Sequence, residues 1–112
     1  MIQSNELRIG NYIKYGEKTF TVLEISSDDV LVNTNRGKIK FGIKDIEPIP
    51  LTEKWLLKFD FKKGIKGFWF MGGVEYNTKK QILEGFGHCE IKSVHQLQNL
   101  YFALTNEELK IK

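Results

Sequence analysis

A length of 112 residues is that of one ordinary domain, and 41% hydrophobic with 28% charged side chains excludes intrinsic disorder. The net charge of +3 is too mild for a dedicated, strongly basic nucleic-acid binder, and one cysteine, Cys89, excludes an intramolecular disulfide. No apolar run has transmembrane length, and "MIQSNELRIG" lacks a signal-peptide core, so a cytoplasmic protein with no membrane partner is expected.

The charge is unevenly spread. Residues 1–50 balance seven basic against seven acidic groups, while residues 51–112 hold ten against seven. Five of those ten lie between Lys54 and Lys66.

In chain order, the first half reads as short strands separated by turns. "LRIGNYIKY", "TFTVLEI", "VLVNT" and "KIKFGI" are β-rich and roughly alternating, with breaks at Gly16-Glu17, "SSDD" and "NRG". Asn35 and Gly37 are expected to supply left-handed turn conformations. Strands this short cannot hide both faces in an open sheet, so residues 1–50 are expected to curl into a small SH3-like β-barrel. Pro48 and Pro50 then enforce an extended connector.

The connector delivers a helix over about 52–60, with Thr52 as N-cap and an apolar stripe of Leu51, Trp55 and Phe59. Glycines in "KKGIKG" end it. Strands are expected at Phe68–Met71, Val74–Tyr76, Gln81–Glu84 and Glu90–Lys92, with reversals at Gly72-Gly73, "NTKK" and "GFG"; Gly72-Gly73 could equally be a bulge. A second helix over about 93–104 follows, then Asn106 as a stop and "EELKI" as a last strand. The fold class is α+β: an N-terminal SH3-like β-barrel packed with a C-terminal antiparallel sheet and two helices. The short connector makes 1–112 a single compact domain with subregions 1–50 and 51–112.

The blocks "NELRIGNYI", "IEPIPLTEKWLLKFDF" and "VHQLQNLYFALTNEELKI" resemble a family of small uncharacterised proteins of Bacteroidetes and of their phages and prophages. The likeness runs in order along nearly the whole chain. It implies a mobile-element context, in which small proteins bind and block host factors or sequester signalling molecules.

Two places in the chain attract a site. On the second helix, Val94, Leu97, Tyr101 and Leu104 make the buried stripe, while His95, Gln98, Asn99 and Phe102 share another face. No charged residue falls between Val94 and Leu104. That polar face is either a ligand surface or a set of hydrogen bonds joining the two halves. Around Trp69, the side chains of Lys62, Lys63 and Lys66 could form a cationic rim beside stacking rings, a combination suited to single strands or nucleotides.

Catalytic constellations are thin. Cys89 with His88 and His95 completes neither a nucleophilic pair nor a zinc site, so no metal and no cofactor are expected. The glycine pairs lack the flanking residues of a phosphate loop. The expected function is therefore a non-enzymatic binding module with a protein or nucleic-acid partner. The alternative is sequestration of a nucleotide-like small molecule, acting against host defence signalling. Pairing of "EELKI" across a two-fold axis would give a homodimer.

Overall fold

The computed structural model describes residues 2–71, 73–84 and 89–111. Its first sheet is β1 (Tyr12–Tyr15), β2 (Lys18–Ile25), β3 (Asp29–Thr34) and β4 (Gly37–Gly42), antiparallel in that order. Alternation sets its register. Val22 lies opposite Val32 and Val30 opposite Phe41, so one face collects the aliphatic side chains. A bulge between Val22 and Glu24 bends β2. In the β3–β4 turn only Gly37 has positive φ (109°); Asn35 does not, contrary to expectation, because one left-handed residue suffices to turn this chain.

The expected barrel is not closed. β1 and β4 do not pair among the described residues; β1 takes its second partner from Glu47, whose backbone exchanges bonds of 3.0 and 2.8 Å with Lys14. The core face is covered by residues outside the strands: Ile2 and Leu7 from the N-terminal segment, and Ile43 and Ile46 from a short 3-10 turn and its exit. Apolar cover from loops replaces a strand-to-strand seam.

Helix α1 (Glu53–Lys58) leads into a second antiparallel sheet of β5 (Lys62–Lys63), β6 (Phe68–Met71), β7 (Val74–Asn77), β8 (Ile82–Glu84) and β9 (Cys89–Glu90), in chain order. β5 lies where only a helix-breaking loop is expected; Asp60 at φ 71° turns the chain so that Lys62 and Lys63 pair with Phe70 and Trp69. The "GFG" turn with His88, and Gly72 of the glycine pair, lie outside the described residues. Helix α2 (Val94–Thr105) closes over this sheet. At its start the Gln96 side chain accepts from the backbone N–H of Lys92 and Ser93, and Asn106, left-handed at φ 61°, ends it.

Two hydrophobic cores result, and β1 is their shared wall. Successive side chains of a strand point to opposite faces. Ile13 enters the first core, while Tyr12 packs on the second, its ring 5.6 Å from Trp55 and 6.0 Å from Phe59. The connector runs antiparallel to the start of α2, with Leu51 N–H on Lys92 O and Val94 N–H on Ile49 O. The segment after Asn106 is not the expected strand. Leu109 is instead drawn into the second core, where burying a leucine outweighs strand pairing for so short a piece. No described helix is long and apolar enough to cross a membrane.

Candidate ligand-binding surfaces

The α2 face comes first. Gln98 is buried, and its amide is fully engaged: Oε1 accepts from Tyr12 N–H at 2.8 Å, while Nε2 donates to Gly10 O at 3.0 Å and Leu109 O at 3.3 Å. Asn99 accepts from Asn11 Nδ2 at 2.8 Å and donates to Glu6 O at 2.7 Å. His95 is 1% exposed, and its Nε2 lies 3.0 Å from Glu6 Oε1. A carboxylate only accepts, so Nε2 carries a proton, and Nδ1 lies 3.3 Å from Ser93 Oγ. Phe102 carries the Arg8 guanidinium 4.0 Å above its ring, and Arg8 also pairs with Glu108 at 2.7 Å.

All four side chains thus meet the segment Glu6–Tyr12. The helix face is uncharged because it is a hydrogen-bonded seam between the halves. The amides of Gln98 and Asn99 serve the backbone N–H of Tyr12, the carbonyls of Glu6, Gly10 and Leu109, and the side chain of Asn11. Two clefts flank the Glu6–His95 pair. One of about 300 Å³ is bordered by Pro48, Pro50 and Lys92, the other of about 540 Å³ by Asn5, Arg8, Cys89 and Leu100. Lys92 is hydrogen-bonded to Glu90 at 2.8 Å, which holds its ammonium above the ordinary lysine range.

The second expected site is brought together in part: Lys63 lies opposite Trp69, its Nζ 5.9 Å from the ring centroid. Trp69 is 1% exposed, so it is a core side chain and offers no open ring. It heads a buried row with Tyr76 and Leu83, its cross-strand neighbours, and Tyr76 Oη donates to Ile91 O at 2.7 Å. Burial pushes the Tyr76 phenol up to about 12. The ring that faces outward is Phe70, close to Gly64, where an added Cβ would meet it at 2.3 Å. Lys62, Lys63 and Lys66 are exposed; Lys62 lies 3.4 Å from Asp60, and Lys63 3.9 Å from Glu53. Among the described residues, no three of His, Cys, Asp and Glu gather closely enough to hold a metal ion.

No protein-family model, curated protein or solved structure matches this chain. Its chemistry must therefore be read from its own surfaces.

A third surface escapes sequence reading. The core face of the first sheet runs on past its loop cover to an open end. Ile13, Val22, Val30 and Val32 are sealed; Phe20 and Phe41 are half-buried; Tyr15 and Ile39 are 44% and 43% exposed. Tyr15 stacks on Phe41 with centroids 4.1 Å apart and planes at 3°, and Phe20 meets Phe41 edge-on at 5.1 Å. Phe20 and Phe41 border a cleft of about 710 Å³ whose charged lining is Lys18 and Arg36, with Thr19, Asn33 and Asn35 beside them; Tyr15 lies next to this lining, stacked on Phe41 and opposite Lys18 across the strands. The signal was present but hidden by summation. The first half has balanced charge, yet antiparallel register carries Lys18, Arg36 and Lys38, with Glu17, to one end and Asp28, Asp29 and Asp45, with Lys44, to the other.

Proposed function

We propose that the protein is a non-enzymatic binding module, encoded by a phage or other mobile element and acting in the cytoplasm, that engages a host protein or nucleic acid. The observation that carries this reading is the open end of the first sheet, where half-buried Phe20 and Phe41 and exposed Ile39 line a cleft together with two cations and no carboxylate. A sheet face left uncovered at one end, while loops seal the rest, is a feature of interaction surfaces. The return of Glu47 to β1 after a 3-10 turn supports an SH3-like arrangement of this half, and the step from that arrangement to recognition is fold analogy. The resemblance to phage and prophage proteins of Bacteroidetes points the same way.

Thermal shift tests the reading. An anionic ligand that binds only the folded state raises Tm with the logarithm of its excess over Kd. Acidic peptides, oligonucleotides and mononucleotides form the panel, with a Lys18→Gln/Arg36→Gln variant as control. Stabilisation by at least one member, lost in the variant, is expected. No stabilisation by any member overturns the reading. A shift confined to mononucleotides would favour sequestration of a nucleotide-like small molecule instead.

A further inference from the structure

We infer that the open end of the first sheet binds single-stranded nucleic acid, with bases stacked at Tyr15 and backbone phosphates held by Lys18 and Arg36. This rests on the reading of the protein as a binding module and names what the module binds.

The aromatic part of the surface is ordered before any ligand arrives. Tyr15 lies flat on Phe41, at 3° and 4.1 Å, and Phe20 buttresses Phe41 from the side. A backed ring has little rotamer freedom left to lose, and 44% of Tyr15 remains exposed. Such a platform takes any unpaired base, because every base has a π-face. A duplex keeps its bases stacked on one another and cannot use it.

The charge fits the backbone. Lys18 and Arg36 line the cleft and enter no ion pair among the described residues, whereas Lys14, Lys62 and Lys63 each have a carboxylate within 4.0 Å. Asp28, Asp29 and Asp45 are gathered at the other end of this sheet; Glu17, in the β1–β2 turn, is exposed, and Glu47, beside β1, is paired with Lys14 at 3.7 Å. Arg36 is held at the tip of the hairpin by its own N–H bonded to Thr34 Oγ1 at 3.2 Å, and Thr34 Oγ1 donates to Gly37 O at 2.6 Å. Thr19, Asn33 and Asn35 also line the cleft and add polar groups that base edges can meet. An acidic peptide would answer the two cations but would give the ring platform no partner. Planar bases and phosphates use both.

Fluorescence anisotropy with labelled dT10 and U10, a matched ten-base-pair duplex and a ten-residue polyglutamate peptide tests the inference. The single strands are expected to bind more tightly than the duplex or the peptide. For single strands, log K falls against log salt by about 0.7 per phosphate contact, so two contacts predict a slope near −1.4. Lys18→Gln/Arg36→Gln flattens that slope. Tyr15→Ala weakens binding about tenfold with the slope unchanged, and Tyr15→Phe restores it. Circular dichroism checks that these surface variants remain folded. Single strands that fail to bind, or that bind with no sensitivity to Tyr15→Ala and to Lys18→Gln/Arg36→Gln, overturn the inference. Binding of polyglutamate alone, lost in the double variant, overturns it while leaving the module reading intact. Failure of every probe removes both.

Discussion

Gln98 Oε1 accepts the backbone N–H of Tyr12 at 2.8 Å, across 86 residues of chain. This bond ties the middle of α2 to the strand whose two faces serve the two cores. Gly10, Asn11 and Leu109 are drawn into the same small network, so a single amide organises contacts among three segments remote in sequence.

Removing that amide leaves several buried backbone groups without partners. Each orphaned group costs about 1–3 kcal/mol, and relaxation recovers part of the sum. Gln98→Ala is therefore expected to destabilise by about 3 kcal/mol in urea denaturation, with an unchanged m-value. Gln98→Glu keeps the shape but loses both donated bonds and buries a carboxylate against two carbonyls, so it should be at least as damaging. A loss below about 0.5 kcal/mol in either variant would show that the seam is not a stabilising element.

Arg8 and Phe102 form the exposed margin of the same seam. A guanidinium 4.0 Å over a ring at a partly exposed position is worth about 0.5–1 kcal/mol. A double-mutant cycle of Arg8→Ala and Phe102→Ala should return a coupling of that size. Repeating it with Glu108→Gln separates the ring contact from the ion pair, whose share should shrink as salt is raised.

Tyr76 gives the protein a defined weakness at alkaline pH. Its folded-state phenol is pushed up to about 12, above the unfolded value near 10, so the neutral form is favoured by folding. The associated stability is complete below pH 10 and is lost as pH rises from about 10 through 12, at no more than about 1.4 kcal/mol per unit. Tyr76→Phe should remove that component of the alkaline decline. It should also cost about 1 kcal/mol at neutral pH, through the bond to Ile91 O. Denaturant midpoints at pH 8 to 12 for both proteins provide the check.

Much of this architecture is legible in the residues, because local rules coincide with the global outcome. The strands of the first sheet follow from alternation, the end of α2 from Asn106, and the connector from Pro48 and Pro50. The missing charge on α2 also carries its meaning: a face without Lys or Glu in a charge-rich chain is a face in contact with something. What it contacts depends on Glu6–Tyr12 arriving from the far end of the chain, and no local pattern encodes that. Alternation in "FWFM" separates Trp69 from Phe70 but does not tell which of them faces the core. The open end of the first sheet is hidden for a different reason. Lys18 and Arg36 stand far apart in sequence, and only antiparallel register brings them to one cleft.

The molecule divides into a seam that holds and a sheet end proposed to bind. A ¹H–¹⁵N correlation spectrum recorded while dT10 is added tests that division directly. The backbone amides of Tyr15, Thr19, Arg36 and Ile39 are expected to move, while the side-chain NH₂ signals of Gln98 and Asn99 stay in place. Movement of the Gln98 and Asn99 signals with a silent sheet end would contradict it and return the binding site to α2.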